Sequence, residues 1–430
     1  MSTTSMHPAT SASQNRSPNQ PENQPQSPAL PYARRRDQLV GSVIDASTTV
    51  LAQYDHDIVK FGMGAPAPDM LPAADFARIA SDVFSPENFT YGETKGEPIL
   101  IEALHDYLAS TDQIPPEQQG NRDRLLITSG GMQGLDLGFK LFVTPGDLVA
   151  CESPTYTNGS ATAMSYEAEI LEIPVDEEGM QIDALEEHTQ RTGRAPKVIY
   201  TVPTFQNPAG VTMSLPRRER LLEFAHRHRS VIIEDNPYGM LRFEGQSLPA
   251  LSDLSPNDPL IFGVRTFSKF VAPGLRVGWI DVDPEVRELA VNAKQTMDSC
   301  APVPNQHLIA RWLAEGGADS HVEVLRKAYR DRKIAMSEGL ARLFPGEIRA
   351  TDPDGGFFLW VTFEDESINT EDLMTTALEE GVAYIPGPAF SPAGNFSNAL
   401  RLCFASAAPD RIDDGLERLR RAVDRYRAER

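Results

Sequence analysis

Arg265-Thr266-Phe267-Ser268-Lys269-Phe270-Val271-Ala272-Pro273-Gly274-Leu275-Arg276-Val277-Gly278-Trp279 sets one lysine among small hydroxyl residues, with Pro-Gly and an arginine further on. An apolar run, Leu260-Ile261-Phe262-Gly263-Val264, leads in. Val277-Gly278-Trp279-Ile280-Asp281-Val282 leads out. Both runs read as short buried strands. A lone loop lysine is by default a solvated surface group. Between buried strands an ammonium is costly to desolvate, and burial lowers its pKa toward a free, nucleophilic amine. Thr266, Ser268 and Arg276 are residue types that bind phosphate, and arginine can do so with two parallel hydrogen bonds.

Working outward on the upstream side, Ser230-Val231-Ile232-Ile233-Glu234-Asp235-Asn236-Pro237-Tyr238 is an apolar strand that delivers an aspartate at its C-terminal end. Open α/β sheets place ligands there. Its plainer reading is a turn or helix-capping aspartate. Lys197 to Thr201 is another strand, ending in Gln206-Asn207-Pro208-Ala209-Gly210, a turn that can be purely structural. Arg124 to Thr128 reads as a strand and Ser129-Gly130-Gly131-Met132-Gln133-Gly134 as a Gly-rich turn. Leu135 to Phe142 follows as an amphipathic helix. A strand, a Gly-rich turn and a helix N-terminus together make an anion site from backbone N–H groups. Many α/β proteins carry such turns, so this signal is weak alone. Leu148 to Cys151 and Glu169 to Val175 add strands, and 158–165 and 215–229 add helices. Alternating strands and helices predict a mostly parallel sheet with helices on both faces.

Several look-alike motifs fail on spacing. Gly62-x-Gly64-x-x-Ala67 imitates a dinucleotide fingerprint, but Pro66 and Pro68 prevent the helix that must follow it. Tyr91-Gly92-Glu93-Thr94-Lys95-Gly96 precedes a helix near 97–110 without the G-K-[ST] of a phosphate-binding Walker loop. His226 and His228 are two apart on a helix and do not share a face, so a metal site is not expected. The three cysteines, Cys151, Cys300 and Cys403, form no spaced set, which argues against a zinc or redox motif and for a reducing, cytoplasmic setting.

The chain has 430 residues, room for a large α/β unit with an appendage, and its 40% hydrophobic content supports a sizeable core. A net charge of −21 argues against nucleic acid or an anionic membrane surface as partner. No apolar run reaches the roughly 18 residues of a membrane span, and the N-terminus lacks a secretory signal pattern. Residues 1–30 are rich in Ser, Pro, Gln and Asn, so a disordered tail is expected. Arg34-Arg35-Arg36 reads as a solvated start to the folded part, and 37–56 carries a helical pattern. Pro284 to Met297 reads as a helix, and a domain change is expected around Asp298 to Asn305. Beyond it, long amphipathic helices run from about 305 to 344. Gly355 to Val361, Val382 to Phe390 and Leu400 to Phe404 supply strands, and a last helix covers 409–428. Arg401 lies inside an apolar strand and there needs an anionic partner, either a structural carboxylate or a ligand.

Thr-Phe-Ser-Lys followed by Pro-Gly-Leu-Arg-Val-Gly resembles the active-site segment of fold-type I pyridoxal phosphate enzymes, and most closely the class I aminotransferases of the 2-aminoadipate and kynurenine group. The resemblance spans roughly residues 38–428, with the motifs in the family's order. It implies an α/β large domain with a mostly parallel sheet flanked by helices, plus a smaller α+β C-terminal domain. The implied divisions are 1–30 tail, 31–68 packing on the small domain, 69–300 the cofactor domain and 301–430 the small domain. By resemblance Lys269 holds pyridoxal 5′-phosphate as a Schiff base and serves with Asp235 and Tyr156 in catalysis. Asp235 faces the pyridine nitrogen, Tyr156 stacks on the ring, and Asn207 and Tyr238 bond the 3′-oxygen. Thr266, Ser268, Arg276, Gly131 and Met132 bind the phosphate, and Tyr91 reaches the phosphate of a neighbouring subunit, which implies a homodimer with shared sites. Relatives often have Ser-Gln where this chain has Gly131-Met132, which leaves only backbone donors there. Arg401, Gly64 and Asn207 meet the substrate, Arg401 by its α-carboxylate. The implied reaction is ping-pong amino transfer between an L-amino acid and a 2-oxo acid. A β-lyase, or a cyclase or oxidase, would carry the same motifs. No DNA-binding segment precedes the motifs, which sets aside the family's transcription-factor relatives. The identity of the amino donor is not legible in these residues.

Overall fold

The computed structural model describes residues 31–41, 51–111 and 121–430. The tail expected over 1–30 lies outside these residues, as does the 42–50 part of the helical pattern expected over 37–56. Of the described residues in that stretch, Asp37 and Gln38 end the 3₁₀ turn Arg34–Gln38, and neither 39–41 nor 52–56 is helical, a correction to the expected helix. In chain order the strands are β1 Val59–Lys60, β2 Leu125–Thr128, β3 Leu148–Ser153, β4 Glu169–Asp176, β5 Gly179–Met180, β6 Val198–Thr201 and β7 Val231–Asp235. They continue with β8 Ile261–Thr266, β9 Gly278–Val282, β10 Ile348–Ala350, β11 Phe358–Phe363, β12 Val382–Ala383, β13 Ile385–Pro386 and β14 Ala399–Cys403.

Eight strands form one sheet in the order β2-β9-β8-β7-β6-β3-β4-β5. Its centre, β4, β3, β6, β7 and β8, is parallel. Helices cover both faces, so β3, β6, β7 and β8 open as apolar runs rather than alternating ones, while β4, with Glu169 and Glu172, is only partly buried. The alternation survives in where each side chain goes. Val149, Cys151, Ile233 and Phe262 pack with Leu135 and Phe139 of the helix Gly131–Phe142. Ala150, Ile199 and Ile232 pack with Leu185, Leu221 and Phe224 on the opposite face.

The strands β8 and β9 run antiparallel, with Thr266 opposite Gly278. A parallel crossover needs about a dozen residues or more, usually a helix. The connector between them holds only the 3₁₀ turn Pro273–Leu275, so the chain turns back on itself. Lys269 sits in that reversal. A buried ion pair ties β8 to β7: Arg265 Nη2 lies 2.8 Å from Glu234 Oε2. Burial opposes the charge on Glu234, but Arg265 and the Leu251 N–H hold its pKa below the ordinary value. Removing one partner of such a pair costs about 3–5 kcal/mol, so the pair fixes the relative height of the strand ends that carry Asp235 and Lys269.

The C-terminal part is a four-stranded antiparallel sheet, β10-β11-β14-β13. The helices Gly317–Leu343, Thr370–Glu379 and Pro409–Ala428 belong to the same part of the chain. The N-terminal segment joins it: β1 pairs in parallel with β12, and Phe61 exchanges backbone hydrogen bonds with Ala383 and Cys403. From there residues 62–65 run across to the ends of β7 and β8. All three cysteines are free. Among the described residues no helix is long and apolar enough to cross a membrane, and no His, Cys, Asp and Glu group could hold a metal.

Candidate active site

The C-terminal ends of the parallel strands open into a cavity of about 250 Å³. Lys269 lies on its wall, just past the end of β8, and its Nζ donates a hydrogen bond to Gly64 O at 2.6 Å. Burial lowers the pKa of this amine from 10.5 to about 8; the nearby guanidinium groups of Arg401 and Arg276 act the same way, while Cys403 and Asp235 oppose them. Asp235 closes β7, buried, and accepts a hydrogen bond from the Tyr200 hydroxyl at 3.0 Å. Burial raises its pKa from 3.8 to about 6 against Tyr200, Arg265 and Lys269, which favour the carboxylate. The cavity thus holds a lysine with an accessible free-base form and a carboxylate that is largely ionised at neutral pH.

A cradle of donors borders the same cavity. Thr266 and Ser268 turn their hydroxyls toward each other at 2.9 Å, and Ser268 N–H donates to Thr266 Oγ1 at 3.1 Å. The helix expected to start at Leu135 starts at Gly131, a correction to the turn read over 129–134. Glycine content argues against helix, but Gln133 reverses the balance: its side chain accepts Ser129 N–H at 2.8 Å and caps the first turn. Asp298 then gathers Ser129 Oγ, Gln133 Nε2 and Lys294 Nζ, anchoring that turn from below. The N-cap, Gly130, has φ +80°, a conformation that disfavours a side chain, and a Cβ there would lie 2.7 Å from Arg276 Nη2. The bare Gly130 backbone lets the guanidinium come close to the helix N-terminus. Hydroxyls, a guanidinium and helix N–H groups together suit a dianionic phosphate.

Arg401, fully buried in β14, fills the other requirement. Nη1 donates to Asn207 Oδ1 at 2.9 Å and Nη2 to Gly62 O at 2.6 Å. Its guanidinium lies 4.2 Å from the ring centre of Phe358 and 5.0 Å from that of Phe390. Sequence reasoning asked for an anionic partner, and among the described residues none is present: a carboxamide and a peptide carbonyl serve instead. Nε stays buried without a hydrogen bond. A buried cation with no carboxylate partner beside a cavity is suited to an anionic ligand.

The structure brings Gly64, Gly131, Met132, Tyr156, Asn207, Asp235, Tyr238, Thr266, Ser268, Lys269, Arg276 and Arg401 onto one cavity. Tyr91 is not among them; it is 90% exposed on the surface. Phe358, Phe390 and Tyr200 belong to the site although no sequence motif marks them. They sit in apolar strands and turns, where an aromatic residue reads as core. A larger cavity of about 640 Å³, lined by Tyr107, Asp253 and Arg326 among others, has no lysine and no phosphate cradle. The chemistry belongs to the smaller one. Its residues fit pyridoxal phosphate on three counts: the cradle, a lysine bonded only to a carbonyl, and a carboxylate bonded only to Tyr200 among the described residues.

Comparison with known proteins gives a consistent picture. The family model "Aminotransferase class I and II" matches residues 56–419. The chain is 36% identical to an aromatic-amino-acid aminotransferase of Thermococcus litoralis, over 85% of this chain and 88% of the relative. It is 35% identical to a 2-aminoadipate transaminase of Thermus thermophilus, over 85% and 90%. Among solved structures, a kynurenine aminotransferase of Pyrococcus horikoshii, crystallised with PMP, superposes with a TM-score of 0.84 at 34% identity, covering 92% of this chain and 97% of the other.

Proposed function

We propose how this chain works from one premise: it belongs to the aminotransferase class I and II family. It transfers amino groups between amino acids and 2-oxo acids, and its cofactor is pyridoxal phosphate. The observation that carries the division of labour is the convergence of Lys269, Asp235 and Arg401, far apart in sequence, on one cavity. The cofactor supplies an aldehyde that captures the amine and a ring that draws electrons from the substrate Cα. Lys269 holds the cofactor between turnovers. Once released, its Nζ would take the proton from the substrate Cα as general base and deliver it to the cofactor's C4′ as general acid, a task suited to a pKa of about 8. Asp235 keeps a proton on the ring nitrogen. Asn207 and Tyr238 bond the 3′-oxygen, and Tyr156 covers the ring. Thr266, Ser268, Arg276 and the N–H groups of Gly131 and Met132 hold the phosphate. Arg401, steadied by Asn207 and Phe358, grips the substrate α-carboxylate with its guanidinium and fixes Cα near Lys269. Gly64 brings its carbonyl to Lys269. The oxo acid leaves before its successor enters the same cavity, which makes the kinetics ping-pong.

The preferred donors are amino acids with large apolar or aromatic side chains. Met63, Leu135, Tyr156 and Phe358 line the cavity, and its cations among the described residues are Lys269, Arg276 and Arg401, each already assigned. A panel of amino acids scored by the cofactor's absorbance change tests this. Phenylalanine is expected to react faster than 2-aminoadipate, and phenylethylamine, which lacks the carboxylate, to lose about 10³-fold or more in kcat/KM. Faster reaction with 2-aminoadipate would overturn the side-chain preference; equal rates for phenylalanine and phenylethylamine would overturn the role of Arg401.

The exposure of Tyr91 supports a homodimer. It is 90% exposed and Phe89, two residues before it, is 67% exposed, aromatic surface that a second copy would cover. In the homodimer Tyr91 reaches the partner's phosphate site. Tyr91→Ala and Lys269→Ala, each impaired alone, are expected to recover activity when unfolded and refolded together, because one site per mixed dimer is then intact. No recovery on mixing would refute the shared site.

A further inference from the structure

Tyr200 stands in β6, one strand away from the residue it serves. Its hydroxyl donates to Asp235 Oδ2 at 3.0 Å and is the only hydrogen bond to that carboxylate among the described residues. The ring is fully buried and closely packed. Phe139 packs against it with ring centres 6.1 Å apart. Close to it also lies Gly159, inside the helix Thr157–Ser165. A Cβ at 159 would come within 2.4 Å of Tyr200 Cε1 and Cζ and 2.5 Å of its hydroxyl oxygen. Glycine is a poor helix former; here its absent side chain is the space that the tyrosine hydroxyl occupies. Burial, then the charge of Asp235, raise the Tyr200 pKa well above its ordinary value, so the hydroxyl stays a donor. Such a bond favours the ionised carboxylate. The other groups acting on Asp235 are divided: Arg265 and Lys269 favour its charge, while Glu234 opposes it. Glu152, itself buried and repelled by Asp235, also opposes it.

We propose that Tyr200 is a positioning residue for Asp235: its hydroxyl, held by Gly159 and Phe139, fixes the carboxylate's orientation and keeps it ionised, so that the shared proton stays on the cofactor's ring nitrogen. The inference rests on the reading that Asp235 faces that nitrogen. Phenylalanine at 200 removes one oxygen and keeps the ring packing, which makes it the direct probe. The holoenzyme is reconstituted with pyridoxal phosphate isotope-labelled at the ring nitrogen, and the protonation of that nitrogen is read by NMR. Tyr200→Phe is expected to move the resonance toward the unprotonated position and to lower kcat about tenfold at unchanged KM, the size of one hydrogen bond to a charged group. Gly159→Ala, which displaces the ring and its hydroxyl while leaving both polar groups in the sequence, is expected to move the resonance the same way. Asp235→Asn sets the full displacement. If Asp235→Asn displaces the resonance and Tyr200→Phe leaves it at the wild-type position, the role of Tyr200 is refuted while that of Asp235 stands. If Asp235→Asn leaves it unmoved, both fall together. A Tyr200→Phe enzyme with a lower Tm and an unshifted resonance would assign the tyrosine to packing alone.

Discussion

Lys269→Ala is expected to remove the visible-range absorbance of the bound cofactor and to cut turnover by at least about 10⁴-fold, because covalent attachment and the proton-carrying amine disappear together. The fold should survive the change. Nζ has one hydrogen bond, to the Gly64 carbonyl, and the cradle of Thr266, Ser268 and Arg276 does not depend on it. The cofactor-free protein should hold its Tm at neutral pH or gain on it. Burial depresses the folded-state pKa of Lys269 from 10.5 to about 8, so the folded state disfavours the ammonium. That penalty is fully present below about pH 8, shrinks as pH rises, and is gone above 10.5. A shift of this size corresponds to something on the order of 3 kcal/mol, set against the packing lost with the side chain. Thermal melts of both cofactor-free proteins from pH 7 to 10 check the sign: any advantage of the variant narrows as pH rises. A Lys269→Ala protein that keeps the visible absorbance after dialysis would overturn the assignment outright.

The parts of the site that were legible in the sequence are those where one residue type breaks its local pattern. Lys269 among hydroxyls, Asp235 at the end of Val-Ile-Ile and Arg401 inside Leu-Arg-Leu-Cys-Phe are polar groups placed where burial is costly, so their positions invite an explanation before any coordinates exist. Most of the parallel centre of the sheet was legible for the converse reason: both faces are covered, so β3, β6, β7 and β8 open as apolar runs. Helix boundaries were harder. The start of Gly131–Phe142 depends on a cap made by a side chain inside the helix, Gln133, which outweighs the glycines that argue for a turn. Partners distant in sequence were not legible. Arg401 meets Asn207 across 194 positions and Tyr200 meets Asp235 across 35. Tyr200 and Phe358 look in sequence like any other core aromatic in a strand.

Asp235→Asn is expected to separate stability from activity. The substitution keeps an oxygen for the Tyr200 hydroxyl and nearly the same volume, and removes only the charge. Without that charge the ring nitrogen loses the group that keeps it protonated, and electron withdrawal from Cα weakens. Loss of a preorganised electrostatic group of this kind lowers kcat by about 10²–10³-fold. The cofactor-free protein should respond in the opposite direction. Burial raises the folded-state pKa of Asp235 from 3.8 to about 6. The folded state therefore bears no cost below pH 3.8, a growing one between 3.8 and 6, and the full cost, on the order of 3 kcal/mol, above 6. A neutral asparagine escapes that cost, so the variant's Tm should exceed wild type at pH 7 and match it below about pH 4. Melts of both proteins across this range, with and without added pyridoxal phosphate, make the check. Cofactor should raise the Tm of the wild type more than that of the variant, because only the wild type gains a partner for its buried carboxylate. A variant less stable than wild type at pH 7, or one with undiminished kcat, would show that Asp235 holds the sheet together rather than the cofactor's proton. The expected pattern is that of a site whose charge is tolerated for function at the expense of the empty fold.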